Sequence, residues 1–136
     1  LVKINFDKFN KNKELNLFER NEENQFEIIF KDEIMYALGN IIQNAIFHSK
    51  KFVIVDVNYL KNNVVIKISD DGNGFPKDII DKLGEPYISK NNRGMGLGIF
   101  ISKNLIENMG GKISFYNSML SQATVEINFH NSILDV

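Results

Sequence analysis

The chain has no cysteine, and only two prolines and two histidines among its 136 residues. Without cysteine there are no disulfides and no thiolate metal centre. So little proline leaves no Pro-rich linker, and neither a repeat nor a low-complexity block interrupts the sequence. No apolar run approaches the roughly 20 residues that cross a bilayer, and no secretory leader is visible. The formal net charge is −1, so no global field draws the chain to nucleic acid or to an anionic membrane surface.

What is present is an ordinary globular balance, 43% hydrophobic and 24% charged, in a length that suits one compact domain. The sequence opens on Leu1 rather than Met and reads as a strand at once, so we expect a domain excised from a longer protein. Asparagine, lysine and isoleucine are abundant throughout, and a lone Asn therefore carries little information.

Residues 2–6 read as a short edge strand and the polar stretch 7–24 as a loop. Residues 26–30 form a compact apolar run, a strand candidate. Asp32 is the expected N-cap of a helix running to about Ser49, with Ile34, Leu38, Ile41 and Ala45 at helical spacing and Met35, Ile42 and Ile46 widening the stripe. Strands are expected over 52–59 and 64–69, joined near Asn62-Asn63. A glycine-bearing turn follows over 71–75, then a short helix opened by Pro76 and ending near Gly84, and a loop over 85–95. Leu97, Ile101, Leu105 and Met109 mark a second long helix, stopped by Gly110-Gly111, and residues 112–117 and 123–129 close the chain as a hairpin. The sum is an α/β two-layer sandwich, a mixed β-sheet with helices on one face.

Three constellations carry chemistry. On the first long helix, Asn40, Asn44 and His48 fall one below another and border the apolar stripe, as the wall of a pocket would; edge asparagines in an Asn-rich chain would look the same. Next, Asp70 ends a period-2 run and shares parity with Val64, Ile66 and Ile68, so its carboxylate should point to the covered face of the sheet. A carboxylate buried there needs a donor, and a purine amino group would suit. Gly72 and Gly74 let the following turn approach a ligand, although an Asp-Gly turn needs no ligand to explain it. Third, Gly94, Gly96 and Gly98, interleaved with Met95 and Leu97, open the second helix, where successive backbone N–H groups make a phosphate cradle. The spacing is neither the dinucleotide fingerprint nor a P-loop, and a plain glycine hinge is the competing explanation. Between the second and third elements lies a lid-like loop with Tyr87, Lys90 and Arg93, two of whose cations could meet phosphate charge; a solvated surface loop is the alternative.

Order and spacing make the three signals specific together. The pattern resembles the catalytic, ATP-binding domain of sensor histidine kinases, within the GHKL group that also holds gyrase, Hsp90 and MutL and shares the Bergerat fold. Residues 38–45 look like the N box, 70–75 and 94–99 like the two glycine boxes, and Glu85-Pro86-Tyr87 like the F box with Tyr for Phe. Residues 83–87 and 94–100 look most like the RegB/PrrB redox-sensing kinases. The resemblance covers about residues 26–130 and implies one ATP-binding domain, with the phosphoacceptor dimerisation domain lying outside this chain.

The resemblance further implies that Asn44 binds a Mg²⁺ bridging the phosphates, that Asp70 accepts from the adenine amino group, and that Thr124 lies near the base; His48 stands where the family often has an aromatic that stacks on adenine, with a plain helix-end histidine as the alternative. Thr124 has the opposite parity to Val125, Ile127 and Phe129. Phe47 stands where the family often carries Lys or Arg, and residues 118–123 lack the glycines of the third box. The implied reaction is transfer of the ATP γ-phosphoryl group to a histidine on a partner domain of the same, homodimeric parent, with a response regulator downstream. The domain itself is expected to be cytoplasmic, in a parent anchored in the inner membrane. Neither His48 nor His130 lies in a His-Glu/Asp-x-x-x-Pro setting, so no self-phosphorylation by this chain is expected. The rivals are a gyrase-type ATPase, an anti-sigma serine kinase and a degenerate partner-docking module. The ATPase reading is disfavoured because its general base, a Glu, is replaced by Asn40.

Overall fold

A computed structural model describes residues 13–21, 31–85, 95–120 and 122–130. The expected strands over 2–6 and 26–30 lie outside the described residues.

The elements follow in the order β1 (Glu14–Asn21), α1 (Asp32–His48), β2 (Phe52–Tyr59), β3 (Asn63–Asp70), a 3₁₀ turn (Ile80–Lys82), α2 (Met95–Asn108), β4 (Lys112–Asn117) and β5 (Ala123–His130). The five strands form one sheet in the order β1-β2-β3-β5-β4. β1 runs parallel to β2, and the other neighbours are antiparallel, so the sheet is mixed. A parallel pair needs a crossover, and α1 lies on the path from β1 to β2.

Period 2 fixes which face is covered. Val53, Val55 and Val57 of β2, Val64, Ile66 and Ile68 of β3, and Val125, Ile127 and Phe129 of β5 are all buried. They meet Ile34, Ala37, Leu38, Ile41 and Ile42 of α1 and Ile99 and Ile106 of α2 in one core. Ser102, fully buried on α2, donates its hydroxyl to the Ala37 carbonyl at 3.1 Å and ties the two helices together. The opposite face of the sheet carries Asp56, Lys67 and Glu126. Among the described residues, no helix is long and apolar enough to cross a membrane.

Three expectations are corrected. Residues 14–21, expected as part of a loop, form edge strand β1, on which Leu15 and Leu17 alternate against the core. Lys31, not Asp32, is the N-cap of α1; its backbone is extended and it makes no side-chain cap. Asp32 and Glu33 sit instead in the first turn, where their charge favours the positive end of the helix dipole. The short helix expected from Pro76 to about Gly84 is narrower than that: the Pro76 carbonyl accepts the N–H groups of Ile79 and Ile80 at 3.2 and 3.1 Å, and a three-residue 3₁₀ helix over Ile80–Lys82 follows.

Candidate functional site

The site gathers at the end of β3, where Asp70 leaves the sheet beneath the C-terminal half of α1. Its parity with Val64, Ile66 and Ile68 puts the carboxylate on the covered face, and the residue is only 5% exposed. Oδ1 accepts the Gly72 N–H at 2.8 Å, which leaves Oδ2 as the acceptor available to a ligand. Burial raises the Asp70 carboxyl to about 6; the Gly72 N–H opposes that rise, the neighbouring Asp71 charge adds to it, and Lys13 opposes it. A buried acceptor with one oxygen uncommitted is the complement of a neutral amino donor.

α1 supplies the opposing wall. Asn40 and Asn44 are half-buried along its edge. Among the described residues, the buried Asn40 Nδ2 has no acceptor, which is costly unless a ligand provides one. His48 ends the helix, exposed, with the edge of its ring against Phe47 at a centroid distance of 5.0 Å and 83° between planes. Partial desolvation, then the Lys13 charge, lowers its pKa and so favours the neutral ring. That is the form suited to stacking.

The glycines divide by role. Gly74 adopts φ 82°, a left-handed backbone that L side chains avoid. Gly72 is needed for a reason other than ligand approach: a Cβ there would run into the carbonyl oxygen of His48. Gly98, within the first turn of α2, is the reverse case, since a Cβ on it would meet nothing within 4 Å. Among the described residues no packing demands glycine there, and the position lies beside a helix N-terminus, where backbone N–H groups favour anions. Gly96 lies in the same turn. The side chains of Met95 and Leu97, and Tyr87, Lys90, Arg93 and Gly94 altogether, lie outside the described residues.

Thr124 is a correction. Alternation along β5 places it on the sheet face away from Asp70, where its hydroxyl meets Ser69 Oγ at 3.1 Å and the Gln122 carbonyl at 3.2 Å. Ala123, buried, has the covered-face parity instead.

Three residues escaped the sequence reading. Lys13 Nζ donates to the carbonyls of Ile46 and Ser49 at 2.5 and 2.9 Å, capping α1. Asp71 accepts backbone N–H groups from Lys50, Lys51 and Phe52. Desolvation pushes the Asp71 pKa up, but the N–H groups of Lys51, Lys50 and Phe52, with its own, hold it below the ordinary value. Asn117 both accepts from the Phe75 N–H (2.7 Å) and donates to its carbonyl (3.0 Å), pinning the far end of the glycine turn to β4. Only the Asp-Gly turn hinted at any of these.

Among the described residues, no group of three or more His, Cys, Asp or Glu could hold a metal. A single amide such as Asn44 fits a hard cation whose remaining ligands are phosphate oxygens and water. Among the described residues, the Asn40 amide is thus left with an uncommitted donor and the Asp70 carboxylate with an uncommitted acceptor.

Comparison with known proteins agrees. Sensor histidine kinase RegB of Cereibacter sphaeroides is 36% identical over 108 residues, 71% of this chain but 23% of that protein. The chain thus spans about a quarter of the relative's length. Among solved structures, the mycobacterial sensor histidine kinase MprB superposes with a TM-score of 0.77 at 17% identity, over 95% of this chain and 91% of that one. ShkA, full-length and in complex with AMPPNP, superposes with a TM-score of 0.74 at 18% identity, over 93% of this chain and 28% of that one. At such identities these two structures speak for the fold alone. Residues 31–133 match the family described as histidine kinase-, DNA gyrase B-, and HSP90-like ATPase, and to that family the chain belongs.

Proposed function

We propose that the chain is the ATP-binding catalytic domain of a sensor histidine kinase, which presents the ATP γ-phosphoryl group to a histidine on a separate dimerisation domain of the same parent. The observation that carries the base-recognition half of this reading is the buried Asp70, with Oδ1 fixed by Gly72 and Oδ2 open. In it, Asp70 Oδ2 accepts from the adenine amino group, and Asn40 and Asn44 line the α1 wall. The N-terminal turn of α2 offers its N–H groups to phosphate oxygens. Mg²⁺, held by Asn44 and those oxygens, would supply charge neutralisation. The acceptor imidazole nitrogen forms a bond to the γ-phosphorus while the β–γ bridging P–O bond breaks, and ADP departs with that electron pair. The domain contributes positioning and electrostatics to this transfer. Asn40, being an amide, cannot activate water, which speaks against an ATPase.

On this reading the parent is a homodimer, anchored in the inner membrane, that senses redox state and passes phosphate to a response regulator; the likeness to a sensor histidine kinase over about a quarter of its length supports the kinase part. The test is calorimetric titration with ADP and a non-hydrolysable ATP analogue, with and without Mg²⁺, followed by mixing with a separately produced dimerisation domain and γ-labelled ATP. Saturable binding and label on the partner's histidine are expected. A folded domain that binds neither nucleotide, or label on a serine, overturns the reading.

A further inference from the structure

The junction between α1 and β2 is gripped from both sides. On the carbonyl side, the Lys13 ammonium donates to the carbonyls of Ile46 and Ser49 at the negative pole of the helix, sharing the Ile46 carbonyl with the Ser49 hydroxyl at 2.8 Å. On the amide side, the N–H groups of Lys50, Lys51 and Phe52 converge on the Asp71 carboxylate. Lys50 and Phe52 reach Oδ1 at 2.7 and 3.3 Å, and Lys51 reaches Oδ1 and Oδ2 at 3.1 and 2.9 Å. Three consecutive amides aimed at one point make an anion nest, and here the chain's own carboxylate fills it. The Asp71 N–H returns a longer bond to the Phe52 carbonyl at 3.4 Å.

The neighbours of Asp71 make this clamp matter. Asp70 precedes it, with Oδ1 already fixed by the Gly72 N–H. Gly72 follows it, pressed against the carbonyl of His48. An acidic residue in an Asp-Gly turn ordinarily faces water, whereas Asp71 commits both oxygens to backbone 19 to 21 positions earlier in the chain. The turn that carries the Asp70 carboxylate is thereby tied to the end of the helix that carries Asn40 and Asn44.

We propose that Asp71 is a positioning residue for base selection: by holding the α1–β2 junction against the glycine turn, it sets the separation between the Asp70 carboxylate and the Asn40/Asn44 face of α1. This rests on the nucleotide reading above. A carboxylate aimed at an exocyclic amino group rejects a base lacking that group only while its distance to the opposing wall is held. Loss of the clamp should therefore erode selectivity rather than affinity in general.

The experiment titrates ADP and inosine diphosphate, which lacks the amino group, into the wild type, Asp71→Ala, Asp71→Asn and Asp70→Asn, with circular dichroism as the check on folding. The wild type should favour ADP, and Asp71→Ala should lower that preference by about tenfold. Asp71→Asn keeps one acceptor oxygen in the nest and should recover part of it; if Asp71→Ala does not fold, a lowered preference in Asp71→Asn carries the result. A purely structural role would weaken both nucleotides in proportion. A wild-type preference in folded Asp71→Ala, or in Asp71→Asn where only that variant folds, overturns the inference alone. A wild type that binds no ADP, or binds both diphosphates equally, overturns the base-recognition reading and this inference with it.

Discussion

The carbonyl oxygen of His48 occupies the space that a Cβ on Gly72 would need. Helix end and glycine turn are in backbone contact, so neither can give way by turning a rotamer. Gly72→Ala should cost about 1–3 kcal/mol of folding stability, the usual range for overpacking. The cost is steric, since positive φ is found at Gly74 and not at Gly72. Urea unfolding reads it, and an alanine variant as stable as the wild type would mean that α1 ends elsewhere.

Gly98 should behave in the opposite way. Among the described residues its would-be Cβ meets nothing within 4 Å, and alanine is the better helix former by about 0.5–1 kcal/mol. Gly98→Ala should leave the melting temperature unchanged or raised, yet weaken ADP binding by crowding the phosphate cradle. If calorimetry finds the ADP affinity intact, the open space beside Gly98 is not where the phosphates lie.

These two glycines also show how far the sequence could be read. Both sit in glycine-rich runs, and nothing local distinguishes the one that packs against backbone from the one that faces open space. Strands β2 and β3, the β4–β5 hairpin and α1 were legible because their apolar residues keep a period, as Val53, Val55 and Val57 or Ile34, Leu38 and Ile41 do, whereas α2 was placed on Ile101, Leu105 and Met109 but buries Ile99, Ser102 and Ile106 instead. β1 was not, because Glu14, Asn16, Glu19 and Asn21 mask an alternation of only Leu15 and Leu17. The orientation of Asp70 followed from parity, and parity also set Thr124 apart from the covered face. The clamp through Asp71 and the cap from Lys13 join positions far apart in sequence, and no local pattern encodes such a bond.

The pH dependence of the domain follows from Asp70. Its carboxyl titrates near 6 in the fold against an ordinary value of 3.8. Between those values the folded state holds more protons than the unfolded state, so the contribution of this group to stability is complete below about 3.8 and is lost as pH rises through about 6. Asp70→Asn removes the titration. The apo variant should therefore melt above the wild type at neutral pH, with the gap closing in acid. ADP binding should run the other way: the adenine amino group needs the ionised carboxylate, so wild-type affinity should fall as pH drops through 6. Melting curves of the two proteins that stay parallel across this range would contradict the assignment of the shift to Asp70.

Asn117 holds the other end of the same turn. Its side-chain amide accepts from the Phe75 N–H and donates to the Phe75 carbonyl, at 2.7 and 3.0 Å, doing for one residue what a neighbouring strand does for a ladder. Phe75 is buried, its ring edge-on to Phe115 with centroids 6.3 Å apart, so its backbone groups have little water to turn to. Asn117→Ala leaves both unpaired and should cost about 1–3 kcal/mol. Asn117→Asp restores only the acceptor, so it should recover the N–H bond but set a carboxylate oxygen against the Phe75 carbonyl, and its stability should fall between the two. Because the turn between Asp70 and Phe75 is then anchored at one end only, ADP affinity should drop in the same order as stability. Equal stability of Asn117→Ala and the wild type in urea would show that the β4 strand, and not this side chain, fixes the turn.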